Sequence, residues 1–265
     1  MADVADYTPN VAVITGSAQG IGKAIALRLA EDGFAVVVSD LGTKQDKMDA
    51  LVEEVRSKGG RAVAIPTDVT KEADIINLVD KTVEEFGGLD VMIANAGIGN
   101  ASTFLEMSVE LYDLIMNVNA RGVMLCYKYA AQQMVKQKRG GRILGASSVL
   151  GKQSAGMYLA AYSASKFAVR GLTQSLAQEM APHKVTVNAY CPGCIITDMV
   201  DNPALDATVG TGAPGGFIKY ITGIPLDGPE AGPDVVASYV SYLCKPEAHF
   251  ITGQSLSVCG GVRLS

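Results

Sequence analysis

The feature that most constrains this chain is a rhythm. Short runs that are apolar on both faces recur at residues 11–15, 35–39, 62–65, 91–94, 142–146, 185–189 and 255–258. A strand with one wet face alternates apolar and polar residues. These runs do not alternate, so both of their faces must be covered, as in a parallel sheet held between helix layers. Stretches with apolar residues at helical spacing fill the intervals, at 20–31, 44–58, 73–86, 109–136, 160–180 and 234–243. Repeated strand–helix–strand order implies right-handed crossovers. The expected fold class is therefore α/β: a doubly wound parallel sheet with helices on both faces. A chain of 265 residues suits one such domain, and no linker divides it.

The rhythm breaks once. Residues 198–232 are rich in Gly and Pro and too long for a simple connection. They are expected to form a functional loop or substrate lid rather than a passive insertion. Phe217, Ile218, Tyr220, Ile221 and Ile224 give the segment apolar surface that something must cover.

The first strand runs straight into Gly16-Ser17-Ala18-Gln19-Gly20-Ile21-Gly22 and then into a helix. Glycines at such a turn let the backbone approach a pyrophosphate, and the helix start offers it unpaired N–H groups and partial positive charge. The spacing is Gly-x3-Gly-x-Gly rather than Gly-x-Gly-x-x-Gly, so its position between strand and helix carries the argument. The second strand ends at Asp40, followed by Leu41. A carboxylate there accepts hydrogen bonds from an adenosine ribose and repels a 2′-phosphate, and no Arg stands at 19 or 41 to compensate. The expected cofactor is NAD, with Lys23 and Lys44 as the residues that work against that preference.

Tyr162 and Lys166 fall on one face of a predicted helix, one turn apart. An ammonium about 4 Å from a phenol contributes about 4 kcal/mol at an effective dielectric near 20. That is enough in principle to lower a phenol pKa from about 10 toward about 7 and make it a usable acid and base. Ser148 lies just past the strand at 142–146, at the sheet end where such folds hold ligands, and can bond a substrate oxygen. Ser147 is the competing candidate.

Composition excludes other classes. The net charge is −5, the most basic run is Lys136-Gln137-Lys138-Arg139, and Trp is absent, all of which argue against nucleic acid. The five cysteines are scattered and odd in number, which suits reduced thiols and a cytoplasmic location. Cys191 and Cys194 do form a Cys-x-x-Cys, readable as a redox pair. With only His183 and His249 besides, no metal site is expected. Residues 1–10 read as a flexible tail without the pattern of a signal peptide. No apolar run of about 18 residues marks a membrane span.

Taken in order, Thr15-Gly-Ser-Ala-Gln-Gly-Ile-Gly22, Asn95-Ala-Gly97, Asn119, Ser148, Tyr162-x3-Lys166 and Pro192-Gly193 resemble the short-chain dehydrogenase/reductase family from 11 to 262. The resemblance implies a seven-stranded Rossmann sheet and direct hydride transfer without metal. Tyr162 would be the general acid/base, and Ser148 would polarise the carbonyl. Lys166 would hold the nicotinamide ribose and lower the Tyr162 pKa. Asn119 would hold a water linking Lys166 to solvent, with Asn117 as its rival. Gly16, Gln19, Gly20, Ile21 and Gly22 would meet the pyrophosphate, Asp40 and Leu41 the ribose, and Asp68 and Val69 the adenine. Asn95, Ala96 and Gly97 would lie beside the adenosine ribose. Pro192, Gly193, Ile195 and Thr197 would fix the nicotinamide carboxamide. Within the family the wording is most similar to the diacetyl (acetoin) reductase and butanediol dehydrogenase group, mostly in scaffold and cofactor segments. The departures fall in the lid and in the loop between Ser148 and Tyr162, so a bulkier apolar alcohol, such as a terpenoid, competes as substrate. A non-catalytic dinucleotide-binding protein is the reading from another class. The resemblance also implies a homotetramer, with a dimer as the lesser assembly.

Overall fold

The computed structural model describes residues 10–154, 157–210 and 212–263. The tail expected at 1–10 lies outside the described residues except for Asn10. The strands are β1 (Val11–Thr15), β2 (Ala35–Ser39), β3 (Arg61–Ala64), β4 (Val91–Ala94), β5 (Gly141–Ala146), β6 (Val185–Pro192) and β7 (Ser255–Val258). They form one parallel sheet in the order β3-β2-β1-β4-β5-β6-β7. The order reverses between β1 and β4. At such a switch point the connections leave in opposite directions and open a crevice beyond the strand ends.

Strand periodicity divides the core in two. In β1, Ala12 and Ile14 face one layer and Val13 the other. The first layer holds α1 (Gly20–Glu31), α2 (Gln45–Ser57) and α9 (Asp234–Cys244), through Ile25, Leu29, Leu51 and Val240. The second holds α3 (Glu72–Phe86), α5 (Gly122–Gln137) and α6 (Ala160–Met180), through Leu78, Cys126, Met134 and Val169. At about 25 cal/mol per Å² of apolar surface, burial on both faces dominates the stability of the sheet. Asp90 ties together the N-terminal ends of the central strands: buried, it accepts from Val11 N at 3.0 Å and pairs with Arg139 at 2.6 Å.

Two regions differ from the sequence reading. The helix expected over 109–136 is α4 (Val109–Met116), a π-helical turn at Asn117–Arg121, and α5. A π turn inserts one residue into the helix without disturbing its apolar stripe enough to show in the sequence. The segment 198–232 contains two short helices, α7 (Pro203–Thr208) and α8 (Gly216–Thr222). The Asn202 side chain caps α7 by accepting from Leu205 N, and Gly215 and Gly223 flank α8 with φ of 77° and 68°. The buried Asp206 carboxylate ties the two together, accepting from Phe217 N at 2.8 Å and Gly215 N at 3.2 Å. Among the described residues no helix is long and apolar enough to cross a membrane.

Candidate active site

A cleft of about 500 Å³ opens at the C-terminal ends of the strands. Its floor is the turn between β1 and α1. Gly16 and Gly20 have φ of 66° and 58°, values that glycine adopts without strain. A Cβ at Gly22 would lie 2.3 Å from Gly16 O and 2.6 Å from Asn95 Nδ2. Asn95 cannot yield, because Nδ2 donates to Thr15 O and Gly16 O while Oδ1 accepts from Tyr190 OH at 2.9 Å. The glycines thus keep a bare backbone surface at the start of α1, of the shape and polarity that a pyrophosphate needs.

Around that floor the cleft is walled by Gln19 and Ile21 from the turn, Asp40 and Leu41 after β2, and Asp68 and Val69 after β3. Asn95, Ala96 and Gly97 after β4, and Pro192, Gly193, Ile195 and Thr197 after β6, complete it. Every residue expected to contact the dinucleotide, Tyr162 and Lys166 included, borders this one cleft, although they come from six separate segments. Asp40 accepts from Ala18 N at 3.1 Å and Leu41 N at 2.9 Å, and Lys44 Nζ lies 3.3 Å from it.

Tyr162 and Lys166 rise from the first turns of α6. Ser148 and Tyr162 border the cleft and also a second cavity, of about 480 Å³. The Ser148 hydroxyl accepts from Leu150 N at 3.1 Å, and its own O–H is turned to the Tyr162 hydroxyl, where a substrate oxygen would compete for it. Ser147 is spoken for: its hydroxyl donates to Lys166 O at 2.9 Å and so fastens β5 to α6. Lys166 Nζ donates to Ala146 O at 2.9 Å and lies 5.5 Å from the Tyr162 ring centroid. Asn119, fully buried, clamps the chain after β4: Oδ1 accepts from Ile98 N and Nδ2 donates to Ile98 O, both at 2.9 Å. The same Nδ2 reaches Ser165 Oγ at 3.1 Å.

The expected lowering of the Tyr162 pKa by Lys166 is not what this geometry produces. Burial pushes the phenol up, against a hydrogen-bonding contribution from Ser148 that lowers it. Burial likewise brings the Lys166 ammonium down to about 8. Desolvation disfavours the charged form of each group, and the ammonium is directed at a backbone carbonyl rather than at the phenol oxygen. At pH 7 the pair is a neutral phenol beside a charged ammonium.

The sequence reading missed several wall residues. Tyr190, wholly buried on β6, borders the cleft and orients Asn95. A Tyr inside an apolar strand signals a hidden partner for its hydroxyl. Leu114 and Val118 line the cleft from α4 and the π turn, and Met199 and Val200 border both cavities. Cys191 and Cys194 are free thiols, and burial raises both pKa values, the opposite of a redox Cys-x-x-Cys.

The family model for short chain dehydrogenases matches residues 10–207. The chain belongs to the short-chain dehydrogenase family. It is 43% identical to a short-chain dehydrogenase/reductase of Armillaria gallica, over 99% of both chains. It is 40% identical to an (S)-acetoin-forming diacetyl reductase of Staphylococcus epidermidis, over 95% of this chain and 97% of that one. Among solved structures it resembles a short-chain dehydrogenase of Burkholderia cenocepacia in complex with NADP, with a TM-score of 0.81 and 32% identity over 96% and 98% of the two chains. Short-chain dehydrogenases are oxidoreductases that bind a nicotinamide dinucleotide, and the bare glycine floor and six-segment cleft of this chain suit one.

Proposed function

We propose that this short-chain dehydrogenase uses NAD(H) to interconvert a secondary alcohol and a ketone on a body larger and more apolar than a four-carbon diketone. One observation carries the reading: Ser148 and Tyr162 border both the glycine-floored cleft and the apolar cavity. A nicotinamide dinucleotide in the cleft would supply or accept the hydride. Gly16, Gln19, Gly20, Ile21 and Gly22 would hold its phosphates, Asp40 and Leu41 its adenosine ribose, Asp68 and Val69 the adenine, and Asn95–Gly97 the turn between. Lys166 would hold the nicotinamide ribose, and Pro192, Gly193, Ile195 and Thr197 the carboxamide.

Reduction requires a proton at the new alkoxide, and oxidation requires its removal. Tyr162, a neutral phenol at pH 7, donates that proton to the substrate oxygen, or recovers it in the reverse direction. Ser148 donates a hydrogen bond to the same oxygen. The Lys166 ammonium stabilises the phenolate that forms, its charge acting through a low-dielectric surrounding. The Asn119 amide is committed to Ile98 and Ser165, so a water relay at this residue would rest on its backbone carbonyl.

Asp40, with no Arg beside it, supports NAD. Lys44 offsets part of its charge, so NADP is disfavoured rather than shut out. The cavity supports a bulky substrate: Val149, Leu150, Met199, Val200, Phe217 and Ile218 line it, and its size falls in the range of drug-sized ligand pockets, about 300–1,000 Å³. Diacetyl and acetoin form the second reading, supported by the 40% identity to a diacetyl reductase. A steady-state screen of diacetyl, acetoin, bicyclic ketones and terpenoid alcohols with both cofactor pairs tests all of this. The reading expects NADH-dependent turnover with the larger ketones at the higher kcat/KM. Dinucleotide binding without turnover of any carbonyl would contradict it.

The free thiols suit a cytoplasmic protein. A homotetramer would cover Leu105 and Phe250, which are 96% and 92% exposed in the single chain, and sedimentation at micromolar protein distinguishes tetramer from dimer.

A further inference from the structure

The cavity beside the cleft is mainly apolar, with Asn100, Asn202 and Thr222 among its polar lining, and a single charged side chain borders it among the described residues: Arg263. The chain brings it there after β7. Its Nη2 donates to Thr222 O at 2.7 Å, at the end of α8, and its Nη1 donates to Val262 O at 2.9 Å. Its Nε is buried and finds no acceptor among the described residues. No carboxylate among the described residues forms an ion pair with it. Arg170 also has a buried Nε without a partner, but it borders neither this cavity nor the cleft.

A guanidinium carries five N–H donors and stays charged at every accessible pH. Setting such a group into an apolar wall with part of its donor set unused costs free energy that an acceptor in the cavity would return. The two backbone carbonyls fix the plane of the group, so its remaining donors are presented in one orientation. Tyr162 borders the same cavity.

We propose that Arg263 is a specificity-determining residue that recognises a second oxygen function of the substrate, separated by an apolar body from the carbon that reacts at Tyr162. This rests on the oxidoreductase reading above. The substrate class is then an oxygenated, mainly hydrocarbon ketone or its alcohol, with a carboxylate favoured over a carbonyl at the distal position. A pure hydrocarbon ketone would leave the guanidinium unanswered.

The test uses three compounds on one bicyclic skeleton: a monoketone, the same ketone with a distal carbonyl, and the same ketone with a distal carboxylate. The kcat/KM of each is measured with NADH for the wild type, Arg263→Met and Arg263→Lys. Binding of each is measured by calorimetry on the enzyme–NAD complex, where no hydride is available. The wild type is expected to favour the oxygenated compounds by about ten- to a hundred-fold, mostly in KM, the range of a charge-assisted hydrogen bond. Arg263→Met should erase that ratio, and Arg263→Lys should restore part of it for the carboxylate. An equal ratio in the wild type and Arg263→Met would overturn the proposal. So would a uniform loss on all three compounds together with a lowered melting temperature, which is what a mere strut for Thr222 would give. If no compound is turned over but calorimetry shows the Arg263-dependent preference, the oxidoreductase reading fails while this one stands.

Discussion

Lys166 gives the sharpest quantitative expectation. Its ammonium is 3% exposed, and burial lowers its pKa from 10.5 to about 8. In the unfolded chain the amine keeps its ordinary value near 10.4. Below pH 8 both states are protonated, and the fold carries the full cost of the buried charge. At about 1.4 kcal/mol per pH unit, that cost is about 3 kcal/mol. Between pH 8 and 10.5 the unfolded state binds the proton and the folded state does not, so this group makes stability rise with pH. Other buried groups oppose the trend: Cys244, pushed up to about 12 by burial, and Tyr127, pushed well up by burial, favour the fold less as pH rises through their unfolded values. A comparison with Lys166→Met cancels them. Met matches the length of the stem and removes the charge. Urea unfolding followed by far-UV circular dichroism suits a chain without tryptophan, at one fixed protein concentration, because association adds its own term. From pH 7.5 to 10 the wild type should gain about 2–3 kcal/mol relative to the variant. Parallel curves would refute the reasoning, because they would mean the ammonium is solvated in the folded protein.

Gly22→Ala should weaken dinucleotide binding by about ten- to a hundred-fold, since the new methyl meets Gly16 O and a fully bonded Asn95 and the phosphate turn must shift by a costly amount; calorimetry with NADH checks it. Asp40→Asn keeps an acceptor for Ala18 N but removes the charge that repels a 2′-phosphate, leaving Lys44 free to pair with one. The NADH-over-NADPH ratio in kcat/KM should fall by about tenfold or more. An unchanged ratio would place the discrimination elsewhere.

The sheet and its cleft were legible because they are written in short-range patterns. Runs such as Val11-Ala-Val-Ile-Thr15 and Ala35-Val-Val-Val-Ser39 lie within a residue of the strands they form, and the glycine turn stands where the strand order reverses. What stayed hidden depends on direction and depth. Ser147 and Ser148 are equivalent in sequence, and only the backbone path commits the Ser147 hydroxyl to Lys166 O and brings Ser148 to the second cavity as well as the cleft. The π turn at Asn119 adds one residue to a long helix and changes no residue type. The Tyr162–Lys166 spacing was read correctly as adjacency, but adjacency does not report burial, and burial decided both pKa directions. Arg263 carries no local signature, and only the path after β7 brings it beside Thr222. The helices of 198–232 depend on Asp206 gathering three backbone amides, a tertiary arrangement without local signature.

The account turns on one proton held at the meeting of two cavities, and Tyr162→Phe addresses it most directly. The substitution deletes only the hydroxyl and leaves the ring against Lys166. Single-turnover oxidation of NADH by a bicyclic ketone should slow by about a thousandfold or more, within the range general acid catalysis supplies together with lost substrate orientation, while NADH affinity measured by calorimetry stays within a few-fold. Turnover at the wild-type rate with the hydroxyl gone would contradict the account.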